Sequence, residues 1–308
     1  MKTWGRAVAT AFCFATVLAA AQVGTAAILG VLRLSGEFDA DTWSARLALL
    51  SWLAISSIVA GAAAGSRGNG SGTRLSASFA AGLGGALGAG IALYPARTAT
   101  LPQGDAQLMA GIALAFAAIA GFILAFGLLS ARSLGWNLAV TGLLVWGLLA
   151  VAVATHPAEV RLGQLDAPGL SPSFVHSFSL WGPPVLAAVL GFLTALVARL
   201  RHHHRGAVAL SGLAGPATIA LAYAIAGPGA SDAQKIPWIA ALIAVAAGVV
   251  ASLFVALPPR RTPDSPDDFD GSGPAFPLPP VSELSDTLAD RRRPFVDLDD
   301  RDPVAPPR

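Results

Sequence analysis

Leu108-Met109-Ala110-Gly111-Ile112-Ala113-Leu114-Ala115-Phe116-Ala117-Ala118-Ile119-Ala120-Gly121-Phe122-Ile123-Leu124-Ala125-Phe126-Gly127-Leu128-Leu129 runs for twenty-two residues without a charged, hydroxyl or amide side chain. As a helix it covers about 33 Å, against a bilayer hydrocarbon core of about 30 Å. On either side of it the same test selects further segments. Together they give eight expected spans, at roughly 7–32, 44–65, 75–94, 107–129, 134–155, 179–199, 206–227 and 236–257. Composition agrees: the 308 residues are 54% hydrophobic and 12% charged, about half the charge of a soluble domain. Mean hydropathy is +0.63. A water-soluble globule, a disulfide scaffold (Cys13 is the single cysteine) and a disordered chain are excluded for the bulk of the sequence. The expected fold class is an all-α polytopic integral membrane protein.

Charge sets the expected orientation. With the N-terminus inside, the inner segments carry Lys2, Arg6, Arg67, Arg74, Arg132, Arg199, Arg201, Arg205, Arg260 and Arg261. The outer segments carry only Arg33, Arg46, Arg97, Arg161 and Lys235, offset by Glu37, Asp39, Asp41, Asp105, Glu159, Asp166 and Asp232. The Lys/Arg bias predicts a plasma (inner) membrane protein with both termini cytoplasmic. Lys2, Arg6 and Ala19-Ala20-Ala21 have features of a signal peptide, but the apolar run continues to Leu32 and is read as a span. Lysine is confined to Lys2 and Lys235 among the 20 basic residues, as expected of a GC-rich bacterial genome.

The sequence also repeats itself at an offset of 127–129. Arg33-Leu34-Ser35-Gly36-Glu37-Phe38-Asp39-Ala40 matches Arg161-Leu162-Gly163-Gln164-Leu165-Asp166-Ala167 with one deletion. Trp52 pairs with Trp181, Asp105-Ala106-Gln107 with Asp232-Ala233-Gln234, Gly121 with Gly248 and Arg132 with Arg260. The two tyrosines, Tyr94 and Tyr223, are 129 apart. A parallel 4+4 tandem duplication follows, with four-helix repeats at 1–129 and 130–257. An even number of crossings preserves orientation, so the two halves should face each other across an axis along the membrane normal. Gly84 and Gly88 stand at GxxxG spacing, so spans three and seven are expected to be the most enclosed, with Pro216 kinking span seven.

Candidate site residues fall into four groups. Arg33, Asp39, Arg161 and Asp166 form a recurring outer-face motif, either a binding surface or an Arg–Asp clamp on a short loop. Asp105, Gln107, Asp232 and Gln234 precede spans four and eight, where a carboxylate would cap the helix. Gln22, Tyr94, Tyr223 and Ser252 could line a cavity between the halves, and Asn137 is expected to bond across helices. The run Arg201-His202-His203-His204-Arg205 suggests a basic anchor at lipid headgroups rather than a metal site. No H-E-x-x-H, P-loop or G-x-S-x-G motif occurs, so neither an enzyme nor a cofactor is expected. No stretch interleaves basic and aromatic residues as a nucleic-acid groove would.

Residues 258–308 hold 12 of the 22 prolines and 11 of the 18 acids. Such a segment cannot bury enough apolar surface to fold alone and is read as a disordered cytoplasmic tail. Within it, 281–296 could form a short helix bearing Leu284 and Leu288, followed by Arg291, Arg292, Arg293 and Phe295. That island is the expected site for a cytoplasmic protein partner, with the lipid bilayer as the other partner. Two roles are expected. One is a non-enzymatic scaffold or accessory protein recruiting through the tail. The other is a permease or lipid-handling transporter with a site between the halves.

Overall fold

The structure, a computed structural model, describes residues 2–66, 71–128, 132–155, 161–162 and 171–257. Asp166 and the tail residues Leu284, Leu288, Arg291, Arg292, Arg293 and Phe295 lie outside them. The described residues belong to one compact helical unit.

The chain runs through α1 (Lys2–Ile28), β1 (Gly36–Glu37), α2 (Ala40–Gly65) and α3 (Ser71–Ala89). A single 3-10 turn then leads to α4 (Leu93–Ala96), β2 (Ala99–Thr100) and α5 (Ala106–Leu128). The remainder is α6 (Arg132–Thr155), α7 (Pro172–Leu200), α8 (Arg205–Ala209), α9 (Ala214–Ala226) and α10 (Asp232–Ala256). Among the described residues, seven helical segments are long and apolar enough to cross a membrane, and Ala214–Ala226 is a shorter apolar helix. They are apolar around most of their circumference, which in a helix this long signals burial in protein or lipid. The protein is therefore a multi-pass helical protein of the lipid bilayer. β1 and β2 form a parallel two-residue pair at one end of the first half.

The expected seventh span differs from its sequence reading. It is divided into α8 and α9 by the turn Leu210–Leu213, and α9 alone covers only about 20 Å. The break lies before Pro216 rather than at it. Pro216 is the third residue of α9, where a missing N–H costs nothing because first-turn donors have no helical acceptor.

Backbone contact through small residues explains the packing. Ala7, Ala11, Ala15 and Ala19 recur every fourth residue on α1 and are buried. Gly61 and Gly65 of α2 approach this seam, such that a Cβ on Gly61 would stand 2.6 Å from Ala15 Cβ. Gly84 and Gly88 of α3 press on Phe12, Thr16 and Ala19 of α1. In lipid no hydrophobic force drives helices together, so this close dispersion contact must supply the attraction. Span three is thus well enclosed, but α2 is the most enclosed of the long helices. Every residue from Trp43 to Ile55 is buried, because α2 is packed by α1, α3, α5 and α9 together.

Gly121 of α5 and Gly85 of α3 both admit Ile58 of α2. The corresponding crossing in the second half joins Gly191 of α7, Gly212 of the turn and Gly248 of α10, which touch backbone to backbone. The contact between halves is one-sided: α2 lies against α9, while among the described residues α7 makes no comparable contact with α3. A symmetric face-to-face arrangement would contain both.

Candidate functional site

Two groups of polar residues in the membrane domain join helix ends. The first joins the start of α2 to the end of α9 and the start of α10. Asp39 caps α2, its carboxylate accepting from Thr42 N and Thr42 Oγ1, each at 2.8 Å. These bonds, the backbone one foremost, hold its pKa below the ordinary carboxylate range. Two residues further, Asp41 reaches across to the entry of α10: Ala230 N and Ser231 N donate to its carboxylate at 2.6 and 3.0 Å. Gly229, at φ +69°, turns the chain so that both N–H groups point at the acid. Ser231, the N-cap of α10, makes no side-chain capping bond of its own. The cap is therefore supplied by the other half of the molecule.

Below that contact Ser44 donates to Ala226 O at 3.0 Å and accepts from Gln234 Nε2 at 3.2 Å. Gln234 is fully buried, and its Oε1 has no hydrogen-bond donor. Tyr223, 2% exposed, donates to Leu162 O at 2.7 Å. Arg46, read from sequence as an outer-loop charge, instead lies within α2, is 3% exposed, and donates to Val31 O.

The second place is the break between α8 and α9. A non-helical turn packed inside the protein carries backbone groups that water does not reach, so side chains must satisfy them. Asn137 of α6 accepts from Gly215 N at 2.8 Å and donates to Thr194 of α7 at 3.3 Å. Ser252 of α10 donates to Ala209 O, and Ser211 to Val208 O. Thr141 fills the space over Gly215, and its buried hydroxyl has no hydrogen-bond partner.

The other sequence candidates scatter. Arg33 is exposed and makes no ion pair with Asp39, whose carboxylate serves the cap. Arg161 is half-buried near Asp41 and Tyr223. Asp105 caps α5, accepting from Leu108 N at 3.0 Å, whereas Asp232 is the exposed first residue of α10, and the N–H groups of Ala230 and Ser231 just before it turn to Asp41. Gln107 is half-buried. Tyr94 is 77% exposed with Arg97 over its ring, unlike its buried counterpart Tyr223. Gln22 accepts from Ser56 and Ser57 of α2 at 3.2 and 3.3 Å. Gln22, Tyr94, Tyr223 and Ser252 thus sit in four separate surroundings among the described residues. Where the halves meet, Trp52 and Trp146 pack at 6.4 Å and join Leu149, Ala222 and Tyr223 in one apolar cluster. Among the described residues no three His, Cys, Asp or Glu side chains are grouped to hold a metal.

Sequence reasoning missed Asp41, Ser44 and the Gly191–Gly212–Gly248 contact. Asp41 looked like one more outer-loop acid, and its target lies 190 residues away. No family model, curated protein or solved structure matches the chain. Fold and site define it as a multi-pass membrane protein whose polar residues join helices.

Proposed function

We propose that this is a non-enzymatic scaffold or accessory protein of a bacterial inner membrane, with the tail segment 281–296 recruiting a cytoplasmic protein. The observation that supports this role is the use of the domain's polar groups. Asp41, Ser44, Tyr223, Asn137 and Ser252 each hold a helix end or a backbone turn. A structural domain of this kind carries its recognition on an appended segment, and the acidic, proline-rich stretch 258–308 is that segment.

In this proposal α8 and α9 together make one interrupted crossing. The total is then eight, and both termini are cytoplasmic. The 4+4 duplication is supported by more than sequence offset. Leu34 and its counterpart Leu162 are each 2% exposed, and Gly121 and Gly248 both stand at helix crossings. The one-sided contact of α2 with α9 implies two copies that have diverged in packing. Reporter fusions at both ends test the topology; opposite compartments would overturn it. Affinity capture with the full chain and with 281–296 deleted tests the role. Loss of the captured protein, with the membrane domain's melting temperature unchanged, is expected. Equal capture by both forms would overturn it.

A permease or lipid-handling role draws on one feature, the interrupted crossing, since transporters place substrate beside broken helices. Here the break is filled by Thr141, Gly191 and Gly248. Transport would require that packing to open.

A further inference from the structure

The corner between α9 and α10 collects more oxygen acceptors than donors. Helix α9 closes at Ala226, and Gly227 follows at φ 87°. The last carbonyls of a helix have no donor within it. A continuing helix would return the N–H groups of Ala230 and Ser231 to Ala226 and Gly227, but both go to Asp41, at 2.6 and 3.0 Å. Among the described residues Ser44 is the donor left to these carbonyls, its Oγ 3.0 Å from Ala226 O and 3.2 Å from Gly227 O. A hydroxyl has one proton, so it cannot satisfy both.

The Gln234 amide meets the same hydroxyl. Its Nε2 donates to Ser44 Oγ at 3.2 Å, while its fully buried Oε1 has no hydrogen-bond donor. Amide bond lengths keep Oε1 within about 5.5 Å of Ser44 Oγ, and a half-turn of the amide carries it to the nearer position. Asp41 stands three residues before Ser44, on the same face of α2. Its Oδ1 and the Cβ and Cγ of Gln234 each lie 2.6 Å from the point where a Cβ on Gly229 would stand, so the carboxylate packs beside Gln234 across that glycine. Charge at the corner is mixed. The end of α9 carries about half a negative elementary charge, and Asp41 adds a full one. The start of α10 and half-buried Arg161 offset Asp41 in part. Arg46 lies around the other side of α2 and donates to Val31 O.

We infer that Ser44 Oγ, Ala226 O, Gly227 O, the Gln234 amide oxygen and the Asp41 carboxylate form a binding site for one monovalent metal cation, with sodium as its probe. Every ligand is a hard oxygen, and helix C-terminal carbonyls hold sodium in membrane proteins for the same reason, the negative end of the dipole. One carboxylate selects the charge, since divalent ions collect several. Exposed Pro228 and Ala230 leave the corner open to entry from solution. The bound ion would join α2 to α9 and α10 by satisfying the acceptors that Ser44 cannot. This site needs no partner protein and stands whether or not the tail recruits one.

The test uses the full chain purified in mild detergent, with sodium chloride exchanged for choline chloride at fixed ionic strength. Wild type should melt higher as sodium replaces choline, because an ion that binds the folded state stabilises it by mass action. The sodium NMR line should broaden in its presence, a readout on wild type that depends on no variant folding. Gln234→Leu removes Oε1 and should raise the sodium concentration at half-effect about ten-fold, the size of one lost bond to a charged group. Asp41→Asn, which removes the charge and keeps an acceptor for Ala230 N, should raise it similarly. Asp105→Asn, at the cap of α5, should keep the wild-type sodium dependence. The inference is overturned if wild type melts alike in sodium and choline, if calcium stabilises it at lower concentration than sodium does, or if Gln234→Leu and Asp41→Asn both keep the wild-type half-effect concentration.

Discussion

Ser231 N donates to Asp41 across 3.0 Å, so the first turn of α2 holds the N-cap residue of α10. A carboxylate at a helix N-terminus both accepts orphan N–H bonds and opposes the positive end of the helix dipole. Here it also joins two halves that sequence offers as separate repeats. Asp41→Ala should lower stability by about 0.5–2 kcal/mol, read as thermal unfolding in detergent. Asp232→Ala, on α10 itself, should cost less. Equal effects of the two would refute the cross-half cap.

Gly248 is expected to be intolerant of any side chain. A Cβ there would meet Gly212 O and approach Ala187 O at 3.4 Å, and backbone cannot move aside as a flexible side chain can. Gly248→Ala should destabilise by about 1–3 kcal/mol. Gly111→Ala, with nothing within 4 Å of the added carbon, should be neutral or slightly stabilising. Melting temperatures of the two variants check this.

Asn137→Leu should be costlier than Gln22→Leu. Removing Asn137 strands the buried N–H of Gly215, a loss of about 1–3 kcal/mol. Removing Gln22 strands neither serine, because Ser56 and Ser57 also donate to Leu53 O. Proteolysis at the Leu210–Leu213 turn should rise in Asn137→Leu alone; unchanged cleavage would count against its role at the break.

Acid should weaken the start of α2. The folded pKa of Asp39 is shifted downward by its bonds to Thr42. Its contribution is therefore complete above the unfolded carboxylate value of about 3.9 and is lost as pH falls through the lower folded value. Asp39→Asn, which can still cap, should match wild type near neutrality and lack this part of the acid dependence. Identical melting profiles of the two proteins from neutral to acid pH would refute the assignment.

The residues that the sequence pairs at an offset of 127–129 show where sequence inference reached its limit. Tyr94 and Tyr223 are matched in sequence, yet one lies open under Arg97 and the other is buried against Leu162. Asp105 caps its own helix, while the Ala230 and Ser231 N–H groups just before the helix that Asp232 opens go to Asp41. Repetition fixes residue type and spacing, but burial depends on which helix lies opposite, and α9 has α2 as a neighbour where α3 has no comparable contact with α7.

Local properties were readable from the chain alone: long apolar runs set the solvent, inward-biased arginines set an expected orientation, and Gly84 and Gly88 marked a close contact, because each depends on neighbours within a few residues. Tertiary structure decided what lies across the molecule: that α2 rather than α3 is the central helix, that the seventh segment breaks before Pro216, and that Asp41 serves α10. Those outcomes require two backbones to meet, and the glycines that permit the meeting, Gly191, Gly212 and Gly248, carry no side-chain signal of which partner they will touch.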